Sequence, residues 1–398
     1  MSDFKMELPR DVLYIIDRLN GHGFSAHIVG GSVRDSIIGR SLGDFDITTS
    51  ALPNQTKAVF ADCKTVDTGI KHGTVTLVLN HVPYEITTYR VDGDYKDSRH
   101  PEEVIFTADL CEDLARRDFT VNAMAYSPDG GLVDPFEGRI DAEHRIIRAV
   151  GDAHTRFSED ALRILRALRF ASVLGFEIEA RTALAIRELA HTLSAISKER
   201  IYTELKKLLM GVDAVRILTD YSSVFEIILG GLTVGKLPDK ERFDCSDYYS
   251  RLAAIFLLNS SDPYVAAEKT LVDLKTDKHT RSYVSSIIRA YESTSLESVR
   301  DVLRTLSKEG EEIVGGVLSL GILMGRFSDV EKCNLERALS CGIPYKISAL
   351  AVRGNDLSDL GIRGERIGET LIELLSAVID GKVENKKDDL ISYLRPNI

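Results

Sequence analysis

Apolar positions repeat along this chain with two different periods. In residues 8–21, Val12, Leu13, Ile16 and Leu19 follow Pro9 at helical spacing, which predicts an amphipathic helix that Gly21 and Gly23 end. A short apolar run from Ala26 to Val29 predicts a strand, Ser32 to Ile38 a short helix, and Asp44 to Thr48 a second strand. Pro53 to Ala61 reads as another helix. Gly73 to Leu79 and Tyr84 to Tyr89 then read as paired strands joined by a turn around Asn80 to Pro83, extending the same sheet. Residues 91–113 are polar and without period, and a loop that long in a compact domain is usually functional or disordered. Beyond about residue 149 the pattern turns helical. Ala161, Ile164, Leu165 and Leu168 form one buried stripe with Ser158 as the expected N-cap, and residues 215–335 stay helical in period. The last helix is expected to run to Ile379. The fold class is therefore an α/β head with a mixed sheet, followed by an all-α remainder.

The strand, glycine pair and helix at Ile28 to Ile38 form a corner suited to an anion. Gly30 and Gly31 remove the Cβ atoms that would hold a phosphate off the backbone, and the helix from Ser32 begins there with unpaired N–H groups. Side chains two apart on a strand share a face, so Asp44 and Asp46 would point together while Phe45 turns into the core. Two carboxylates on one rigid edge beside a phosphate cradle suit Mg²⁺-assisted phosphoryl transfer. Glu85, on the neighbouring strand, is a candidate third carboxylate; an outward-facing strand glutamate is the alternative. Further on, Arg116 and Arg117 suit triphosphate oxygens, and Asp118 and Asn122, four apart on an expected helix, could hold ribose hydroxyls.

Composition narrows the partners. With 50 Lys and Arg against 61 Asp and Glu, the net charge of −11 argues against an indiscriminate nucleic-acid binder, so any RNA surface must be local. Residues 156–210 hold ten Lys and Arg against seven Asp and Glu, which makes Lys198, Arg200, Lys206 and Lys207 candidate RNA contacts. Five cysteines form no Cys-x-x-Cys pair, so neither a zinc site nor a disulfide scaffold is indicated. The most apolar short run, Ala253 to Leu258, falls far short of a membrane span, and no signal-like segment opens the sequence. No membrane partner is expected, and the expected location is the cytoplasm. Oligomeric state is left open.

Val29-Gly30-Gly31-Ser32-Val33-Arg34-Asp35 followed by Asp44-Phe45-Asp46 resembles the DNA polymerase β nucleotidyltransferase superfamily, in its class II tRNA nucleotidyltransferase and bacterial poly(A) polymerase branch. Thr68-Gly69-Ile70-Lys71-His72-Gly73-Thr74 is similar to a segment of the tRNA-specific members. The Arg-Arg-Phe signature expected in a bacterial poly(A) polymerase is missing. Arg116-Arg117-Asp118-Phe119-Thr120-Val121-Asn122-Ala123 is a second match, and by resemblance it recognises the ribose 2′-OH. The third is Glu159-Asp160-Ala161-Leu162-Arg163, with Arg166 and Arg169 after it; Asp160, Arg163 and Arg166 form one polar edge expected to be exposed. Cytosine and adenine each present an amine donor beside a ring-nitrogen acceptor. A carboxylate at Asp160 and a guanidinium at Arg163 would match that pattern and mismatch uracil and guanine.

Ser197-Lys198-Glu199-Arg200 through Glu204 resembles the last family motif, with Glu204 either pairing Arg200 along the helix or acting directly. No His-Asp phosphohydrolase pattern occurs. The resemblance implies a catalytic head over residues 1–149, a nucleotide-selecting neck over 150–214, a body over 215–335 and a tRNA-gripping tail over 336–398. Residues 344–398 of the tail hold eight Lys and Arg to nine Asp and Glu, which gives that last role little electrostatic support. The implied substrates are CTP, ATP and a tRNA lacking all or part of its 3′ CCA. The implied cofactor is Mg²⁺, held by Asp44 and Asp46. Gly30, Gly31, Ser32, Arg34, Arg116, Arg117, Asp118, Asn122, Asp160, Arg163, Arg166 and Arg169 are the implied nucleotide-binding residues. A poly(A) polymerase, an A-adding or CC-adding specialist, and an inactive RNA-binding homologue are the rivals.

Overall fold

The computed structural model describes residues 4–67, 69–92 and 104–394, with nothing said of the Asp92 side chain. Thr68 and most of the polar segment that follows Asp92 lie outside the described residues. The chain divides into two compact units, Met1–Gly231 and Leu232–Ile398.

The first unit opens with α1 (Arg10–Gly21), β1 (Ala26–Val29), α2 (Gly31–Ile37), β2 (Asp46–Thr49), α3 (Pro53–Val59) and β3 (Lys64–Val66). It continues with β4 (Thr74–Leu79), β5 (Val82–Thr88), β6 (Arg90–Asp92), β7 (Val104–Phe106), α4 (Leu110–Ala115), β8 (Ala125–Ser127) and β9 (Gly131–Val133). After α5 (Gly138–Glu143) and β10 (Ile146–Ile147) come α6 (Ala153–Glu159), α7 (Leu162–Leu174), β11 (Glu177–Ile178), α8 (Ala180–Leu189), α9 (Lys198–Leu209), α10 (Ala214–Asp220) and α11 (Ser222–Ile228). Seven strands form the main sheet in the order β3-β4-β5-β2-β1-β8-β9, with β2 and β5 parallel and the other neighbours antiparallel. The apolar stripe of α1 packs on it: Val12, Ile15, Ile16 and Leu19 join Ile28, Ile47, Leu77 and Ile86 in one core. Phe45 leans against that core, as its place between two aspartates predicts.

Several local expectations are corrected. The turn between β4 and β5 is only Asn80 and His81, both in the left-handed region at φ 49° and 66°, and Pro83 lies inside β5 opposite Val78. A proline is tolerated there because β2 pairs with β5 only from Ile86 onward, so no ladder bond is lost on that side. The segment read as aperiodic begins in strand, returns to strand and ends in helix: β6 and β7 pair antiparallel, Val91 opposite Ile105, and α4 takes its last residues from Leu110, all in pieces too short to display a period. Asp118 and Asn122 are not on a helix. The chain leaves α4 at Ala115, Phe119 is extended and bridges to Ala149, and Thr120–Asn122 forms a single 3₁₀ turn. Gly138 permits this packing, since a Cβ there would stand 2.1 Å from the Thr120 carbonyl oxygen. Ser158 lies within α6 and gives its hydroxyl to the His154 carbonyl at 2.8 Å, so it caps nothing. Asp160 fills that role for α7, accepting from the Leu162 N–H at 3.0 Å.

The second unit is helical: α12 (Lys240–Asp244), α13 (Tyr248–Asn259), α14 (Pro263–Asp273), α15 (Lys278–Tyr291), α16 (Val299–Glu309), α17 (Glu311–Leu323), α18 (Asp329–Ser340), α19 (Gly354–Asp359), α20 (Glu365–Ile379) and α21 (Lys387–Leu394). One core of Leu303, Leu306, Leu318, Leu357, Leu374 and Leu390 joins helices from α16 to α21. Among the described residues, no helix is long and apolar enough to cross a membrane.

Candidate active site

The glycine pair, the start of β2, the α4 exit and the start of α7 meet around a cleft of about 550 Å³ within the first unit. Its lining includes Gly30, Gly31, Arg34, Asp46, Arg116, Arg117, Asp118, Asn122, Asp160, Arg163, Arg166 and Arg200. Gly30 adopts φ 74°, and a Cβ on it would sit 3.3 Å from Arg117 Nη1 and 4.0 Å from Asp46 Oδ2. The bare backbone thus lets an arginine approach the carboxylate edge. Arg34 is buried and donates to Asn122 Oδ1 at 2.6 Å. Ser32 is buried with its hydroxyl 3.4 Å from the Val29 carbonyl and does not line the cleft.

Asp46 is the first residue of β2; Asp44 precedes the strand, is exposed and does not line the cleft. The expectation that both share one strand face therefore fails, because pairing of β2 with β1 begins only at Asp46 opposite Val29. Asp46 still senses the charges of the other two carboxylates. Crowding of the Asp46 carboxyl pushes its pKa up, the charges of Glu85 and Asp44 push it further, and Arg117 pulls it back. Glu85 is exposed on β5. Among the described residues, no three acidic, histidine or cysteine side chains stand close enough to form a ready-made metal site.

Arg116 and Arg117 both fasten to Asp113, at 2.9 Å and 3.4 Å. Burial pulls the Arg117 pKa below the ordinary arginine value, with Asp113 opposing it, and its Nε has no hydrogen-bond partner among the described residues. Asp118 accepts from Arg166 Nε at 2.7 Å and from Asn122 Nδ2 at 3.3 Å, so the two residues expected on one helix face meet without a helix. Burial alone would raise the Asp118 pKa; Arg166, Asn122 and Arg163 outweigh it and hold the carboxyl below its usual range.

The polar edge of Asp160, Arg163 and Arg166 is not exposed as expected. Arg163 is buried, donating from Nη1 to Glu159 Oε2 at 2.6 Å and from Nη2 to the Arg116 carbonyl at 3.2 Å. Asp160 Oδ2 accepts from Arg200 at 2.9 Å. Arg200 therefore faces the cleft and does not pair with Glu204. Glu204 is buried and binds Arg169 at 2.5 Å, while the Arg169 guanidinium lies 3.7 Å from the Phe170 ring centroid, outside the cleft lining. Lys206 and Lys207 are exposed on α9, and Lys198 is half-buried at its start. Sequence reasoning passed over Asp113 and Glu159, whose signal was present: each precedes its arginine by three or four residues.

Three family models match the chain: Poly A polymerase head domain over residues 26–148, a polymerase A RNA- and SrmB-binding region over 175–222, and tRNA nucleotidyltransferase domain 2 over 250–394. The CCA-adding enzyme of Streptococcus pyogenes serotype M3 is 36% identical, with 100% of this chain and 98% of that protein covered. This chain belongs to the CCA-adding enzyme family. A CCA-adding enzyme of Geobacillus thermodenitrificans is 37% identical over 97% of this chain and 96% of its own. The Bacillus stearothermophilus CCA-adding enzyme, solved in complex with CTP, superposes with a TM-score of 0.79 at 32% identity, covering 98% of both chains. The Thermotoga maritima CCA-adding enzyme complexed with tRNA_CCA shares the fold, with a TM-score of 0.69 at 21% identity over 98% of this chain and 97% of that one. The family is one of tRNA nucleotidyltransferases, and the head with its mixed sheet and helical remainder is the family's fold.

Proposed function

We propose that this protein, acting in the cytoplasm, rebuilds the 3′ CCA of a tRNA that lacks all or part of it, transferring CMP and AMP from CTP and ATP and releasing pyrophosphate. The observation that carries the reading is one cleft in which Asp46, a set of arginines and the Asp160–Arg163–Arg200 cluster converge. Asp44 and Asp46 are the proposed holders of Mg²⁺, with Glu85 a third candidate. The donor set suits a hard divalent cation, because Asp46 is already raised by crowding and by two neighbouring carboxylates, a repulsion that a cation between them would relieve. When bound, Mg²⁺ lowers the pKa of the attacking 3′-OH and neutralises triphosphate charge.

Arg117, held against Gly30, supplies a fixed positive charge beside Asp46, and its unpartnered Nε marks unsatisfied donor capacity there. Arg116 and Arg34 extend that positive wall for phosphate oxygens. Asp118 and Asn122, already bonded to each other, present the polar pair proposed for the ribose. Asp160 keeps acceptor lone pairs beyond those used by Leu162 and Arg200, and is proposed to accept the exocyclic amine of C or A. Arg163 is proposed to donate to the ring nitrogen by exchanging a bond it now makes to Glu159 or a carbonyl. Lys198, Lys206 and Lys207 are the proposed RNA-backbone contacts within a neck of residues 150–214, followed by a body to 335 and a tail to 398.

The deciding experiment sequences the products formed on a tRNA ending just before CCA, with CTP alone, ATP alone and both. The expected outcomes are CC, no extension and CCA, respectively. Product that stops at CC with both substrates would assign a CC-adding specialist, extension only of tRNA-CC an A-adding one, and a poly(A) tract a poly(A) polymerase.

A further inference from the structure

Asp113 has no surface exposure at all, yet no step proposed above uses it. It sits on α4 just ahead of the two arginines, and its two oxygens divide their work. Oδ1 accepts from Arg116 Nε at 3.0 Å and from the Arg90 backbone N–H at 3.2 Å. Oδ2 accepts from Arg117 Nη2 at 3.4 Å and lies 3.5 Å from the Thr48 hydroxyl. One carboxylate thus touches both arginines of the cleft wall, the residue at which β6 begins, and the strand that starts with Asp46.

A carboxylate stripped of water and shared between two guanidinium groups is a costly way to stabilise a fold, since apolar side chains of similar volume usually do as well or better. What it does supply is geometry. Each guanidinium is anchored on its Asp113 side while both residues line the cleft, and Arg117 Nη1 reaches the Asn122 carbonyl at 3.5 Å. The pair also leaves one positive charge uncompensated by Asp113. We propose that Asp113 is a positioning residue that sets Arg116 and Arg117 to grip the pyrophosphate portion of the nucleotide, and that it ties the base of the β6–β7 pair to that grip.

The inference rests on the nucleotidyl-transfer reading above, and the test separates the two. Asp113→Asn keeps the shape of the side chain but turns a charge-neutral amide toward the arginines; Asp113→Glu keeps the charge and displaces it by one methylene. KM for CTP and for ATP should rise roughly ten- to a hundredfold in the Asn variant and less in the Glu variant, with kcat and the KM for tRNA changing far less. Inorganic pyrophosphate, titrated calorimetrically into the enzyme without tRNA, should lose affinity by the same factor. Folded variants that bind pyrophosphate like the parent, or that lower kcat and leave both nucleotide KM values alone, overturn the assignment. So does failure of both variants to fold, which would make Asp113 a structural residue. A parent enzyme that binds pyrophosphate but adds nothing to tRNA would instead sink the transfer reading and leave the positioning role standing.

Discussion

In the first unit, Arg34, Asp113, Asp118, Arg163 and Glu204 are all buried, and each is met by a charged or amide partner around or beside the cleft. In the second unit, Arg251 is the single buried charged residue among those described, and it is satisfied by the Asp244 and Ser246 carbonyls. That unit's ion pairs, such as Arg304–Asp380 and Lys346–Glu311, lie at the surface. From α16 to α21 its interior is instead one leucine-rich core. Burying paired charges seldom adds stability over apolar packing, whereas burying leucines does. The contrast teaches where the molecule spends stability on shape and where it accumulates it.

The hardest test of that contrast is Asp46→Asn. Losing several kcal/mol of transition-state stabilisation should lower nucleotide transfer at least about a thousandfold. The melting temperature should hold or rise, because one member of a mutually repelling carboxylate group is gone. A large fall in melting temperature with near-normal transfer would break the comparison outright. Arg163→Ala comes next: selectivity for CTP over UTP should fall about a hundredfold, read from competing incorporation. Equal slowing with both nucleotides would make Arg163 a mere prop for Glu159. From the other side, Leu306→Ala in the second unit's core should cost about 2–5 kcal/mol in urea unfolding, with the same CCA product and the same rate per folded molecule.

Acid should find the first unit's paired carboxylates. Asp118 is held below its usual range, so its contribution to stability is fully present above about pH 3.9 and is lost as pH falls through the lower native value. Urea midpoints measured from pH 5 to 2.5 should decline, and Asp118→Asn should flatten part of that slope. A slope unchanged by the substitution would show that other carboxylates govern it. Smallest of all, Arg304→Ala should leave the melt unchanged within reproducibility, since the pair it breaks is exposed.

Local periodicity made much of this fold legible. The α1 helix, the β4–β5 pair and the glycine corner are written in residues close together in the chain and formed as expected, except that Ile15 rather than Leu13 completes the buried stripe of α1. What escaped was decided by partners far away in sequence. Asp118 and Asn122 read as neighbours on a helix because they are four apart; the bridge of Phe119 to Ala149 extends the chain there before a single 3₁₀ turn, and the two side chains meet regardless. Arg200 and Glu204 are also four apart, but Asp160 takes the first and Arg169 the second. An edge spaced for solvent around Arg163 became interior because Glu159 and the Arg116 carbonyl close over it. Asp44 and Asp46 were legible as a pair of acids, though not the point at which β2 would begin.

The sheet order carries a consequence for how the chain comes to exist. Strand β1, which leads into the glycine corner, is flanked by β2 on one side and on the other by β8, whose Tyr126 lies opposite Ile28. The Gly30 N–H likewise waits for the Met124 carbonyl. Roughly a hundred residues must therefore emerge after β1 before its second neighbour is available, a long-range closure of the kind that slows folding. During synthesis, the early strands stand as an unfinished edge, and the nucleotide cleft can take shape only once the segment from Arg116 to Ser127 has left the ribosome and docked.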